Sequence, residues 1–166
     1  MKMKALANLA ALSSVAMCLG VPPGFADAEH CRHVGGSVLT NFLQPADCAA
    51  SPINLCTDGT STGDIRGGVG VAILDINGND YHVHHHWVTD TGDTIFLKDA
   101  HLIAFPTKDP TRVLADYLNG VDITGGTGGF EGANGTLFAF GAADLKLGQI
   151  TLRYEGTVCF PKVKEP

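Results

Sequence analysis

Between residues 67 and 160 the chain is a succession of short apolar, β-branched runs cut by glycine, and no long amphipathic helical pattern accompanies them. Strands without helices to cover them must protect their own edges, and closing the sheet into a barrel removes those edges. The expectation is therefore an all-β protein, a small closed antiparallel β-barrel. The 21 glycines show no triplet period and act as punctuation between strands. The clearest strand is residues 149–160. Ile150, Leu152, Tyr154 and Val158 share one face there, while Thr151, Arg153, Glu155 and Thr157 share the other. Residues 67–76, 81–89 and 94–105 read as further strands, joined by Asn77-Gly78 and by Asp90-Thr91-Gly92. Residues 109–120 fit either a short helix capped by Asp109 and ended by Gly120, or a strand running into the glycine-rich segment.

The N-terminus has the pattern of an export signal. Lys2 and Lys4 precede an apolar stretch over residues 5–19, and Gly24, Ala26 and Ala28 suit cleavage after Ala26 or Ala28. A lipidated Cys18 is the rival, with bulky Met17 before it against that reading. The domain expectation is a signal peptide over residues 1–26, a cysteine-containing segment over 27–61 and a barrel domain over 62–166. The mature protein is expected outside the cytoplasm, with no membrane span. Losing the two lysines takes the formal charge from -6 to -8, which disfavours nucleic acid and anionic membrane as partners. Removing Cys18 with the signal leaves Cys31, Cys48, Cys56 and Cys159. An even number in an exported chain reads as two disulfides, and no pair has the close spacing of a structural zinc site. Cys48–Cys56 would close a short loop, and Cys31–Cys159 would tie the N-terminal segment to the last strand.

Residues 123–135 read ITGGTGGFEGANG. No lysine follows as a phosphate loop requires, and no βαβ unit surrounds the segment as a dinucleotide site requires. Gly125, Gly126, Thr127, Gly128, Phe130, Glu131, Gly132, Ala133 and Gly135 instead resemble the glycine-rich signature of the allene oxide cyclase and dirigent barrel superfamily. Tyr154-Glu155-Gly156-Thr157 is similar to its bacterial members. The resemblance covers about a quarter of the chain and concerns scaffold. It implies a barrel whose apolar interior holds a small apolar or amphipathic ligand, with cyclase or isomerase chemistry in some members. No catalytic residue carries over from it. The physical reading agrees: glycines allow a tight corner, and Phe130 can plug the end of the core.

Residues 81–87 read YHVHHHW. On a strand His82, His84 and His86 share a face, with neighbours roughly 6.5–7 Å apart, a spacing that two zinc ligands can use. Tyr81, Val83, His85 and Trp87 share the other face, and the apolar residues select it as the core face. A three-residue loop at 90–92 would pair Trp87 with Ile95, Val83 with Asp99 and Tyr81 with His101. The interior site expected on that register is His85, Asp99, His101 and Tyr81, able to act as an oriented acid–base group or as a buried network that fixes register. His82, His84 and His86 then face solvent, and no metal or other cofactor is expected. Asn77-Gly78 as a two-residue turn would set Gly68, Gly70 and Ala72 against Trp87, His85 and Val83, whereas a longer loop would swap that face. Association of copies would use the outer apolar residues of the 67–76 strand.

Overall fold

The computed structural model describes residues 30–161. The expected signal peptide, residues 1–26, lies outside the described residues. Ten strands follow in order: β1 (His30–Phe42), β2 (Cys56–Gly63), β3 (Gly67–Asn77), β4 (Asp80–Thr89), β5 (Thr94–Leu97), β6 (Ala100–Pro106), β7 (Arg112–Asp116), β8 (Val121–Gly126), β9 (Asn134–Asp144) and β10 (Gln149–Phe160). Each pairs antiparallel with its neighbours, and β10 returns to both β9 and β1, so the sheet closes. β5 and β6 are successive halves of one stave, both against β4, and β7 and β8 are halves of the next, both against β9. The result is a closed eight-strand antiparallel barrel in which sequence neighbours are neighbours in space. Among the described residues no helix is long and apolar enough to cross a membrane.

Alternation sorts the core as the sequence suggests. Val34, Val38, Val83, Trp87, Leu152, Tyr154 and Val158 are buried in one inward-facing cluster. Trp87 meets Tyr154 edge to face at 5.3 Å. The ambiguous stretch resolves as strand: Ala115 and Tyr117 point inward, and a turn at 117–120 separates β7 from β8. Asp109 caps no helix; its carboxylate accepts bonds from the Thr111 N–H and hydroxyl. At the glycine-rich corner Gly125, Gly128, Gly132 and Gly135 all take positive φ, and a Cβ on Gly126 would stand 2.5 Å from that of Phe130. Phe130 is buried there against Phe160, plugging the barrel end.

Both expected disulfides are present. Cys31 and Cys159 sit directly opposite one another on β1 and β10. Cys48–Cys56 ties the loop between β1 and β2 down onto Ala72 and Leu43. The strand expected near residue 37 runs from His30, so the N-terminal cysteine segment supplies a stave of the barrel.

The turn before β4 settles the facing of β3. Asn77 pairs with Asp80, and a bulge between Ile73 and Asp75 then shifts the register. Val69, Val71 and Ile73 therefore oppose Trp87, His85 and Val83, and Gly68, Gly70 and Ala72 face outward. The outer face of β3 thus offers little apolar surface for association.

Candidate functional site in the barrel interior

His85 projects inward from the middle of β4, between the walls formed by Val71 and Tyr117. Its Nε2 shares a 2.8 Å hydrogen bond with the Tyr117 hydroxyl, the rings tilted with centroids 5.3 Å apart. Burial, helped by nearby His84 and opposed by Asp99, pushes the imidazole down from 6.5 to about 4. Burial also raises the Tyr117 hydroxyl well above its ordinary value. At neutral pH the pair is a neutral imidazole and a neutral phenol, a donor and an acceptor without net charge.

Among the described residues three buried side-chain polar atoms have no hydrogen-bond partner: His85 Nδ1, Trp87 Nε1 and Thr57 Oγ1. Thr57 lies on β2 and the other two on β4, with β3 between them. Thr57 opposes Val71, Val71 opposes His85, and Trp87 lies one inward position along from His85. His85 and Trp87 line a cavity of about 50 Å³ whose other walls include Val38, Val71, Leu97, Tyr117, Leu137 and Tyr154. Tyr154 is engaged elsewhere: its hydroxyl accepts the Ile65 N–H at 2.9 Å and donates toward the carbonyls of Thr62 and Ile65. Toward one end of the barrel a second space of about 110 Å³ opens among Phe42, Leu55, Tyr81, Leu102, Val113 and Leu145. An apolar cavity of roughly 150 Å³ holds a benzene ring, and about 15 Å³ of the same measure holds one water. By volume the inner space admits a group of water size and the outer one a small apolar body.

The structure brings only part of the expected site together. His85 and Tyr81 face inward as the sequence indicates, Tyr81 at the wider mouth. Asp99 and His101 do not. Trp87 does pair with Ile95, but β4 then changes partner from β5 to β6, and Val83 opposes Ala100 instead of Asp99. That one-residue offset turns both side chains to the outside. There His84 Nδ1 donates to Asp99 at 2.6 Å, His101 Nδ1 donates to Asp80 at 2.9 Å, and the His82 and His101 rings stack 5.0 Å apart. His86 is exposed on the same face. Among the described residues no group of three or more His, Cys, Asp or Glu is placed to hold a metal ion.

Tyr117, Trp87 and Thr57 were not expected in the site. No turn or spacing in the chain pairs Tyr117 with His85, and nothing local marks a buried threonine as unpaired.

No family model and no curated protein matches the chain. Among solved structures it is similar to that of the pterocarpan synthase dirigent protein GePTS1, at 13% identity and a TM-score of 0.38, over 83% of this chain and 89% of that one. A likeness at that level says nothing of ligand or reaction.

Proposed function

We propose that this is an exported binding barrel that takes a small ligand with an apolar body and one uncharged oxygen into its interior. The observation that carries this reading is the pair of unpartnered buried polar atoms on His85 and Trp87, two residues that line an otherwise apolar interior cavity. Each buried polar group left without a partner costs about 1–3 kcal/mol. A ligand oxygen accepting from the Trp87 indole N–H, with His85 Nδ1 as a second contact, would recover much of that cost. The neutral state of His85 favours a hydroxyl, carbonyl or phenol over an ionised group, since burying a lone charge there is far more expensive. The mouth around Phe42, Tyr81, Leu102 and Leu145 is the route inward and the seat for the apolar body. Two disulfides suit an oxidising compartment outside the cytoplasm.

Trp87 is the sole tryptophan of the chain, so its fluorescence reports on this cavity directly. Mass spectrometry of organic extracts from purified protein, followed by titration of the recovered compound against Trp87 emission, tests the proposal. Expected is saturable binding that His85→Phe weakens by roughly 5- to 30-fold. An extract free of small molecules, together with emission indifferent to a panel of small phenols and alcohols, would leave a filled, structural core as the better reading. The 2.8 Å pairing of Tyr117 with His85 also favours a second reading, proton transfer on the bound compound as in an isomerase or cyclase. On that reading Tyr117→Phe stops conversion of the extracted compound while its binding persists.

A further inference from the structure

The outer face of β6, β7 and β9 carries more apolar surface than a solvated sheet needs. Phe105 (43%), Leu114 (53%), Phe138 (47%) and Phe140 (54%) stand about half exposed on it, with Leu39 (41%) at its far margin on β1. They form one field. Phe105 opposes Leu114, Leu114 opposes Ala142, and Ala142, Phe140 and Phe138 succeed one another on the same face of β9. Across that field the charges are ordered. Phe140 pairs with Asp116 on β7 and with Arg153 on β10, so an acid and a base flank the phenylalanine, one on each side of β9. Neighbouring strands are about 4.8 Å apart, so the two lie roughly 10 Å from each other, too far to neutralise one another within the chain.

We infer that this face is the contact between two copies of the chain, related by a two-fold axis lying along β9. That rotation lays one sheet over the other, stacks Phe140 on Phe140, and sets Asp116 of each copy opposite Arg153 of the other. Such a contact is self-complementary, as a two-fold interface must be. Its area is adequate. A half-exposed phenylalanine offers about 100 Å², and the five large side chains together offer roughly 450 Å². A standard interface buries about 800 Å² per partner, a little over half of it apolar, which is the same quantity. An anionic membrane or a nucleic acid would ask for a basic rim. Here Arg112 and Arg153 are offset by Asp116, Asp144 and Glu155, in a chain of formal charge -6.

The test is analytical ultracentrifugation of the mature protein from about 1 to 100 μM, a range that brackets a micromolar dimer. Expected is a monomer–dimer equilibrium. Phe140→Glu should raise Kd at least ~30-fold, as loss of a central aromatic anchor does. Asp116→Arg or Arg153→Asp alone should raise it roughly tenfold, and the two together should bring it back within about threefold of wild type. An unchanged far-ultraviolet spectrum and melting midpoint for each variant separate association from folding. A monomer at ~100 μM would overturn the inference, as would a larger ring, or a dimer indifferent to Phe140→Glu. A double charge reversal that fails to restore association would overturn the axis along β9.

Discussion

Replacing His85 and Tyr117 singly and together tests whether the interior pair is arranged as described. Tyr117→Phe deletes the one partner of His85 and leaves both imidazole nitrogens unpaired, since Nδ1 has none to begin with. That should cost about 1–3 kcal/mol, the desolvation penalty of a stranded polar atom. His85→Leu strands the Tyr117 hydroxyl but also removes the orphan Nδ1, so its net cost should be smaller, roughly 1 kcal/mol. In the double variant every polar atom of the pair is gone and two apolar side chains of similar volume stand in the same wall. Replacing both partners of a buried bond in this way is near neutral or stabilising. The double variant should therefore lie within about 0.5 kcal/mol of wild type or above it, giving a coupling of roughly 2 kcal/mol or more between sites in contact. Urea denaturation followed by Trp87 emission gives each stability, with a constant slope confirming that the unfolding transition is unchanged. Additive losses in the double variant would refute the reasoning, because they would mean that the two groups do not depend on one another.

The same histidine sets a pH dependence. Its imidazole binds a proton at about 4 when folded and near 6.5 when unfolded, so the unfolded chain holds more protons between those values and stability falls as pH drops through them. The wild type should lose up to about 3 kcal/mol from this group between pH 7 and pH 4, and His85→Leu should lack that component when the two denaturation series are compared; identical pH profiles would exclude it. Removing the Cys31–Cys159 bridge by a double serine substitution should cost about 2–5 kcal/mol in the same denaturation assay, since it closes a loop spanning nearly the whole barrel. On the outer face, His82→Ala and His86→Ala should each shift stability by less than about 0.5 kcal/mol, and His84→Ala by no more than about 1, because its pair with Asp99 is solvent-exposed. A chelator should leave the thermal midpoint where it is; a drop would return His82, His84 and His86 to consideration as ligands.

Much of the barrel was legible because its information is local. The alternation of 149–160 names its own inward face, and the cysteines find their partners because one pair is close in sequence and the other joins the first and last staves. The glycine corner at 125–135 marks the plug residue by the same logic. The failures have one physical origin, register. A strand's inward set flips with a slip of one residue, and two such slips occur beside the histidine strand: the bulge between Ile73 and Asp75, and the break between Leu97 and Ala100. Neither Leu74 nor the Lys98–Asp99 pair carries a local signal that the ladder skips there. A hairpin extrapolated from its turn is therefore right at Trp87 and Ile95, and wrong four residues on, at Val83 and Asp99.

The two slips also divide the labour of the histidine strand. Had the β4–β6 ladder continued without its break, Asp99 would have entered the core opposite Val83, a carboxylate among Ile73, Ala100 and Ala115 with no cation to meet it. Burying it unpaired would cost several kcal/mol or hold it protonated. The offset places it outside, where it accepts from His84, and puts Ala100 at the inward position instead. His85 is then left as the sole imidazole inside, with one ring nitrogen engaged by Tyr117 and the other buried without a partner. A buried charge pair would have satisfied both nitrogens and closed the site. The neutral, half-satisfied histidine keeps a directional contact free for whatever enters the barrel, and that is why the reading of function rests on His85 rather than on the more conspicuous row of histidines outside.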